Sequence, residues 1–518
     1  MTTPTLTHPG VYVVEEPSGV RAITGVATSV TAFVGRALRG PTDRPVTVRS
    51  FADFEREFGG LWIESSLGYS VRDFFRLGGS TAVIVRAFRH ASDDEDEFAD
   101  DITRWRWGNA NGDLHLEARS PGAWGRSVEV ETQDASFTAD PGDATLFNLF
   151  VTDTGTGRVE AFRNVSTNPA SAQRIDTVLE NSSRLVRIQD GFDLPANTPG
   201  NLTPNAITNT GTDGRQLDAN TLTDAIDVLE LADLVNLLVI PPHTKADTTP
   251  SVIVTETDTD PAVVTAAVTF ASDHDAIALI DPPAAWTDSA SAETGAATQP
   301  VDENAALYFP RIRQPDPLRD NSIGTFAPSG AVAGIIARTD ATRGVWKAPA
   351  GLDATLDGVV ELSVPLTDSE IGALNPIGVN CLRKAPAAGH VIWGARTRRG
   401  NDQLASEWKY LPVRRTALFL KQSLFRGTQW VVFEPNDEPL WAQIRLNVGA
   451  FMTNLFRQGA FAGTTPSKAF FVKCDSETTT PDDVNVGIVN IWVGFAPLKP
   501  AEFVVLHLQQ MAGQAGGA

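Results

Sequence analysis

Two stretches of this chain follow one pattern, a helix, then an unbroken hydrophobic run, then proline or aspartate. Asp224 to Val235 reads as helical and leads into Leu237-Leu238-Val239-Ile240-Pro241-Pro242; Pro261 to Asp273 reads as helical and leads into Ala276-Ile277-Ala278-Leu279-Ile280-Asp281. A strand without polar alternation needs cover on both faces, and a helix between two such strands makes a crossover. The pair therefore predicts a parallel sheet with helices on its faces. The same logic extends over Ile23 to Phe88. Ser29-Val30-Thr31-Ala32-Phe33-Val34-Gly35 is a buried-strand candidate, and Ser50 can cap a helix from Phe51 to Phe58 that stops at Gly59-Gly60. Leu67 to Leu77 is a second helix closed by Gly78-Gly79, and Thr81-Ala82-Val83-Ile84-Val85-Arg86 is another strand.

Elsewhere the period changes. From about Trp105 to Asp190 residues alternate at the strand spacing, as in Leu114-His115-Leu116-Glu117-Ala118, with turn signals at Asn111-Gly112, Pro121-Gly122 and Pro141-Gly142. This predicts a mostly-β module inserted in an α/β body, followed by a loop or linker over Asn197 to Asp213. Late in the chain, Trp430-Val431-Val432-Phe433 reads as a strand. A helix from Leu440 to Gln458 follows, with Trp441, Ile444, Val448, Phe451 and Leu455 on one side and Gln443, Arg445, Asn447, Asn454 and Gln458 on the other. Ala469 to Cys474 and Val484 to Phe495 read as a hairpin-like pair. Short β-rich runs stand at both extremities, Val11-Tyr12-Val13-Val14 and Phe503-Val504-Val505-Leu506, each set off by Pro or Gly. A lone strand buries too little to hold itself in place, so each must pair with something distant or with another chain.

Composition narrows the function classes. With 518 residues, 42% hydrophobic and 20% charged, large packed cores are expected. No stretch reaches the roughly 20 apolar residues of a membrane helix, and MTTPTLTHPGVYVVEE lacks the regions of a secretory signal; a cytoplasmic site of assembly and no membrane insertion are expected. Cys381 and Cys474 read as buried small hydrophobes. A net charge of −21 argues against nucleic acid as a partner. That charge is uneven. Ser92-Asp93-Asp94-Glu95-Asp96-Glu97 is acidic, whereas Asn380 to Trp430 holds ten Lys or Arg against two acids.

No chemistry-bearing constellation stands out. Ala327-Pro328-Ser329-Gly330-Ala331-Val332-Ala333-Gly334 places a serine before a helix, but none of the seven histidines (His8, His90, His115, His243, His274, His390, His507) lies in a base motif, and Ser329 reads better as a helix cap. There is no Gly-x-x-x-x-Gly-Lys-Ser/Thr loop, His-Glu-x-x-His, EF-hand loop or Cys-x-x-Cys pair. No enzyme activity, cofactor or metal is expected.

Several runs resemble the contractile tail sheath proteins of phages and phage-derived injection systems. They are His8-Pro9-Gly10-Val11-Tyr12, Ala118-Arg119-Ser120-Pro121-Gly122-Ala123-Trp124-Gly125, Asn375-Pro376-Ile377-Gly378-Val379-Asn380, Trp393-Gly394-Ala395-Arg396-Thr397, Trp408-Lys409-Tyr410-Leu411-Pro412-Val413-Arg414-Arg415, Gly427-Thr428-Gln429-Trp430-Val431-Val432-Phe433-Glu434-Pro435-Asn436-Asp437 and Phe471-Val472-Lys473-Cys474-Asp475, with Pro497 to Phe503 beyond. The resemblance implies a subtilisin-like α/β body without protease activity, an outer β module, an α+β C-terminal domain and extended β arms at both termini. It assigns residues 1–22 to an N-terminal linking arm, 23–103 to the first part of the body, 104–215 to the outer module and linker, 216–374 to the body, 375–500 to an inner domain facing a tube, and 501–518 to a C-terminal arm. It further implies a helical homo-oligomer of hexameric rings around an inner tube protein, with baseplate and tail-terminator or cap proteins as further partners. Val11, Tyr12, Val13, Val14, Phe503, Val504, Val505 and Leu506 would then be inter-subunit arm strands. The basic late segment beside a helix with a polar side makes Arg445, Arg457, Gln443, Asn447 and Asn454 candidates for the tube contact. Rival readings are a cytoplasmic serine hydrolase of the subtilisin class and another virion structural protein.

Overall fold

The structure, a computed structural model, describes residues 21–94, 101–109, 112–135, 145–195, 207–243, 258–503 and 505. The arm residues Val11, Tyr12, Val13, Val14, Val504 and Leu506 lie outside the described residues. The chain forms two compact units. One comprises Thr28–Thr342 and Pro349–Leu411; the other comprises Met1–Ala27, Arg343–Ala348 and Pro412–Ala518.

The larger unit opens with β1 (Thr31–Gly35), β2 (Val46–Val48), α1 (Phe51–Phe58), α2 (Leu67–Arg76) and β3 (Ala82–Arg86). Ser50 caps α1 by accepting the Asp53 N–H, and Gly59, at φ +89°, ends it in the left-handed region that a side chain would strain. The inserted module follows, with β4 (Thr103–Asn109), β5 (Gly112–Ala118), β6 (Val128–Asp134), β7 (Leu146–Asp153), β8 (Arg158–Ser166), α3 (Ile175–Ser182), β9 (Val186–Ile188) and β10 (Ile207–Thr210). Its sheets, ordered β10-β4-β5-β9 and β6-β7-β8, share one core around Trp105, Leu116, Val130, Leu149 and Leu179.

The chain then returns to the body through α4 (Ala219–Asp227), β11 (Leu237–Val239), α5 (Pro261–Asp273), β12 (Ile277–Ile280), α6 (Ser289–Ala296) and β13 (Ala305–Phe309). A small antiparallel sheet, β14 (Ile312–Asp316), β15 (Ser322–Phe326) and β16 (Glu361–Leu362), brackets α7 (Ser329–Arg343). It is followed by α8 (Asp368–Leu374), β17 (Val379–Ala385) and β18 (Gly389–Ile392). The main sheet has the order β18-β17-β13-β12-β11-β1-β3-β2. Its six inner strands are parallel and its two edge strands antiparallel. Strands β1, β3, β11, β12 and β13 are buried at every residue, as their uninterrupted hydrophobic runs require.

The smaller unit is α+β. It contains α9 (Leu411–Gly427), whose first residue belongs to the larger unit, α10 (Glu438–Arg457), α11 (Pro466–Ala469), β19 (Phe470–Lys473), α12 (Pro481–Asn485) and β20 (Trp492–Phe495). The predicted apolar positions of α10, Trp441, Ile444, Val448, Phe451 and Leu455, all enter its core.

The two compact units divide at Pro412, and β17, which pairs with β13, carries residues 379–385 into the main sheet. Four expectations need correction. The helix predicted over 224–235 starts earlier, at Ala219, where Asp218 accepts the Thr221 N–H, and tightens into a 3-10 turn over Val228–Leu231. The predicted linker 197–213 contains β10, which pairs with β4. Trp430 to Phe433 is not a strand. Gln429–Val431 forms a 3-10 turn, and Pro435 close behind lacks the N–H a ladder needs. Within Val484 to Phe495 only Trp492–Phe495 is strand, since Thr480 and Asp483 form a capping box that starts α12 instead.

Candidate functional site

The serine that a hydrolase would need is inaccessible. Ser329 is fully buried; its N–H donates to Asp281 Oδ1 (2.8 Å) and its hydroxyl to Oδ2 (2.6 Å). Asp281 thus does the capping, and Ser329 is the first helical residue, not the cap that the sequence predicts. Histidine bonds lie elsewhere: His90 Nδ1 faces Asp101 and His390 Nδ1 the Val359 carbonyl. Among the described residues no group of three or more His, Cys, Asp or Glu could hold a metal ion, and no helix is long and apolar enough to cross a membrane. Both cysteines are free and buried; burial pushes the Cys381 thiol up to about 12 and the Cys474 thiol up to about 11, so neither is a nucleophile at neutral pH.

Attention therefore falls on surfaces. Half of the exposed large hydrophobic residues among those described lie in the smaller unit, including Phe425, Val432, Phe433, Leu446, Phe471, Val486, Trp492, Phe503 and Val505. Scattered exposed apolar residues are ordinary, but here they concentrate in the smaller unit. Strands β19 and β20 form a two-stranded antiparallel ribbon in the register Phe470↔Phe495, Phe471↔Gly494, Val472↔Val493 and Lys473↔Trp492. Each strand pairs on one side only among the described residues, so each offers outward N–H and C=O groups. Phe471 and Trp492 stand exposed on the ribbon. Phe503 and Val505, 76% and 72% exposed, are in no strand.

Helix α10 carries the five polar candidates, but not on one face. Asn447 is buried. Three residues after Ile444 and four before Phe451, it shares their inward side, and its side-chain oxygen and nitrogen find no partner among the described residues. Arg445 and Asn454 are nine residues apart, about two and a half turns, and so point in opposite directions. Arg445 is held by Glu438 (2.6 Å) and by the carbonyl of Cys474; the Glu438 hydrogen bond keeps the guanidinium more firmly protonated than usual. Asn454 and Arg457 are exposed and Gln443 half-buried. The centre of the exposed stripe is Ala442, Leu446, Ala450 and Arg457, a mostly small and apolar surface. Leu446 was legible as an anomaly, a leucine on the polar side of the predicted helix.

The loop between α9 and α10 adds a second surface. Phe433 has φ +70°, a conformation costing a bulky residue about 1–2 kcal/mol. The loop is braced on several sides. The Glu434 N–H donates to the Val431 carbonyl (3.1 Å), Asn436 Nδ2 to the Ile488 carbonyl (2.9 Å), and Trp441 Nε1 to Asn436 Oδ1 (2.8 Å). Arg21 lies over Trp430 at 4.7 Å from the ring centroid.

Comparison with known proteins completes the picture. The family profile described as the phage tail sheath protein central domain matches residues 246–398, and that of the phage tail sheath C-terminal domain matches residues 404–510. A tail sheath protein of Vibrio phage KVP40 is 31% identical over 183 residues, which cover 35% of this chain and 26% of that protein. The alignment thus spans about a quarter of that relative's length. Two solved structures share the fold. One is the sheath complex of PVC, an extracellular contractile injection system, in its contracted state (TM-score 0.59, 21% identity, 98% of this chain and 99% of that one). The other is the six-fold symmetrised baseplate of the anti-feeding prophage (TM-score 0.56, 20% identity, 98% and 100%). The two family profiles, which stand in sequence order and together match just over half of the chain, show that this protein belongs to the phage tail sheath family, whose members are structural proteins and not enzymes.

Proposed function

We propose that this chain is the repeating subunit of a contractile sheath. It polymerises as six-fold helical rings around an inner tube, anchors on a baseplate under a terminator or cap, and shortens to drive the tube through a target envelope. The single observation that carries the reading is the β19–β20 ribbon, whose two edges are open among the described residues, together with exposed Phe503 and Val505, which dock into no described sheet. Arm strands from neighbouring copies complete such a ribbon by β-augmentation, in which backbone hydrogen bonds give cohesion and alternate side chains give register. Assembly takes place in the cytoplasm. The α/β body corresponds to a subtilisin-like scaffold whose serine has become a buried helix residue.

Contraction then needs no fuel at the moment of firing. A lattice trapped in a long form gains a few kcal/mol per subunit in a short one, the size of ordinary coupling energies, and the gain multiplies over many copies. The tube contact falls on the α10 flank bearing Gln443 and Asn454, with Arg457 at its border. Arg445 contributes little free charge because Glu438 offsets it.

The test is deletion of residues 1–20 or of residues 501–518, with negative-stain microscopy of the assembled material. Each shortened chain should remain a folded protomer by circular dichroism and gel filtration, and should form no striated sleeve that contracts. Sleeves of normal length and contraction from either deletion would overturn the arm assignment.

A further inference from the structure

We infer that Phe433 is a docking knob that seats in a groove between α10 and β19 on a second copy of this chain, a contact additional to the arm strands; the inference rests on the reading that the chain polymerises. Phe433 is 102% exposed, so its ring touches nothing among the described residues, and Val432 beside it is also exposed. The bracing by Asn436, Trp441 and Val431 holds this ring outward in a strained backbone. Strain of this kind persists where surrounding bonds enforce it, and it favours sites of recognition. An unburied aromatic held rigidly costs little entropy when covered, which is the character of an interface anchor.

The groove fits an aromatic ring. Its lining includes Leu446, Gly449, Ala450 and Thr453 of α10 and Phe471 of β19. Leu446 and Phe471, 57% and 56% exposed, form apolar walls. A Cβ placed on Gly449 would meet nothing within 4 Å, so the floor is open. Charge identifies the occupant. Exposed Arg457 lines the groove, whereas Phe433 is followed directly by Glu434, whose carboxylate lies 4.0 Å from Arg21. Knob and groove do not meet within this protomer, because the ring is wholly exposed. The loop precedes the first turn of α10, and the groove runs along its later turns, in a helix about 30 Å long. A donor surface and a different acceptor surface on one protomer make a heterologous contact, which propagates into a ring or a helix rather than closing as a dimer.

The test uses the full chain with Phe433 replaced by a benzophenone-bearing phenylalanine, assembled into sleeves with its tube protein and irradiated. Peptide mass spectrometry should place the crosslink on Leu446, Gly449, Ala450, Thr453 or Phe471 of another copy. In parallel, Phe433→Ala should raise the protein concentration needed for assembly by about tenfold or more. An additional Arg457→Glu change should weaken assembly further, and Arg457→Glu with Glu434→Arg should recover part of the loss. Normal sleeves that crosslink elsewhere on a neighbour, on the tube protein, or nowhere overturn the knob and leave the sheath reading standing. Failure of the unaltered chain to form any sleeve overturns the sheath reading itself.

Discussion

Arg39 and Asp153 fasten the inserted β module to the body, and removing both should cost less than the sum of the two single losses. Arg39 Nη1 lies 2.7 Å from Asp153 Oδ2, with the side chains 6% and 5% exposed. Arg39 also donates to the Arg56 carbonyl (3.2 Å). Asp153 also accepts from the Thr156 hydroxyl (2.8 Å), the Gly155 N–H (3.1 Å) and the Ser127 hydroxyl (3.3 Å). At a charge separation of about 4 Å and an effective dielectric of about 20, the attraction is about 4 kcal/mol. Asp153→Asn keeps the shape but leaves a buried cation unmatched, an expected loss of about 3–5 kcal/mol. With a urea slope of about 3 kcal/mol per molar, the unfolding midpoint should fall by about 1–1.7 M. Urea titration at pH 7 with tryptophan fluorescence reads this out; Trp124, its ring 5.7 Å from the Arg39 guanidinium, is a local reporter. Arg39→Met should cost a similar amount, and the double variant should be less destabilised than the sum by about 2–3 kcal/mol. Burial alone would raise the Asp153 carboxyl, but its bonds to Thr156 and Arg39 outweigh burial and hold it below the usual carboxylate range. Its contribution is therefore complete above the unfolded value of about 3.9 and fades as pH falls through the lower folded value. Single losses that add to within about 0.5 kcal/mol in the double variant would refute the pairing argument.

Further outcomes are expected. Gly330→Ala should destabilise the body by about 1–3 kcal/mol in thermal unfolding, because the new Cβ would sit 2.4 Å from the Ser70 carbonyl oxygen, a backbone atom that cannot swing away. Asn304→Leu should cost about 1–3 kcal/mol by urea titration, since Asn304 Nδ2 donates to the buried Ala271 (3.0 Å) and Ala276 (2.7 Å) carbonyls; both would lose this donor, and Ala271 would keep only the Ala276 N–H (2.9 Å). Cys381 and Cys474 should resist a thiol reagent in the native protein at pH 8 and react fully in urea; fast native labelling would contradict their burial. Phe471→Asp should leave the circular dichroism spectrum and monomer stability nearly unchanged while suppressing sleeve assembly seen by sedimentation, because the side chain is exposed on the ribbon.

The body was legible because its strands are hydrophobic without interruption and its helices carry strong end signals. Ser50 before α1, Asp260 and Pro261 at the start of α5, and the runs at β11 and β12 all carry local instructions that tertiary packing reinforces. The failures share a cause as well. Trp430 to Phe433 has strand composition, but four apolar residues are as compatible with a turn that displays them as with a strand that buries them. The polar side of α10 was misread for the same reason. Asn447 has the composition of a surface residue and the position of a core one, whereas Leu446 has the reverse. Periodicity places residues around an axis; it does not say whether a neighbour or water lies beyond them. A face meant for another chain is therefore read as an error in the pattern.

Residues 21–27 and the stretch from Pro412 onward are gathered into the same unit. Val26 donates to the Ser423 hydroxyl at 3.1 Å, and Ile23 packs against Gly427. Tension arriving at position 21 can therefore pass across side-chain contacts directly to α9 and onward to the ribbon. The nearly four hundred intervening residues need not be pulled taut. If the terminal arms bear load, as proposed, that route is built from contacts within the smaller unit alone.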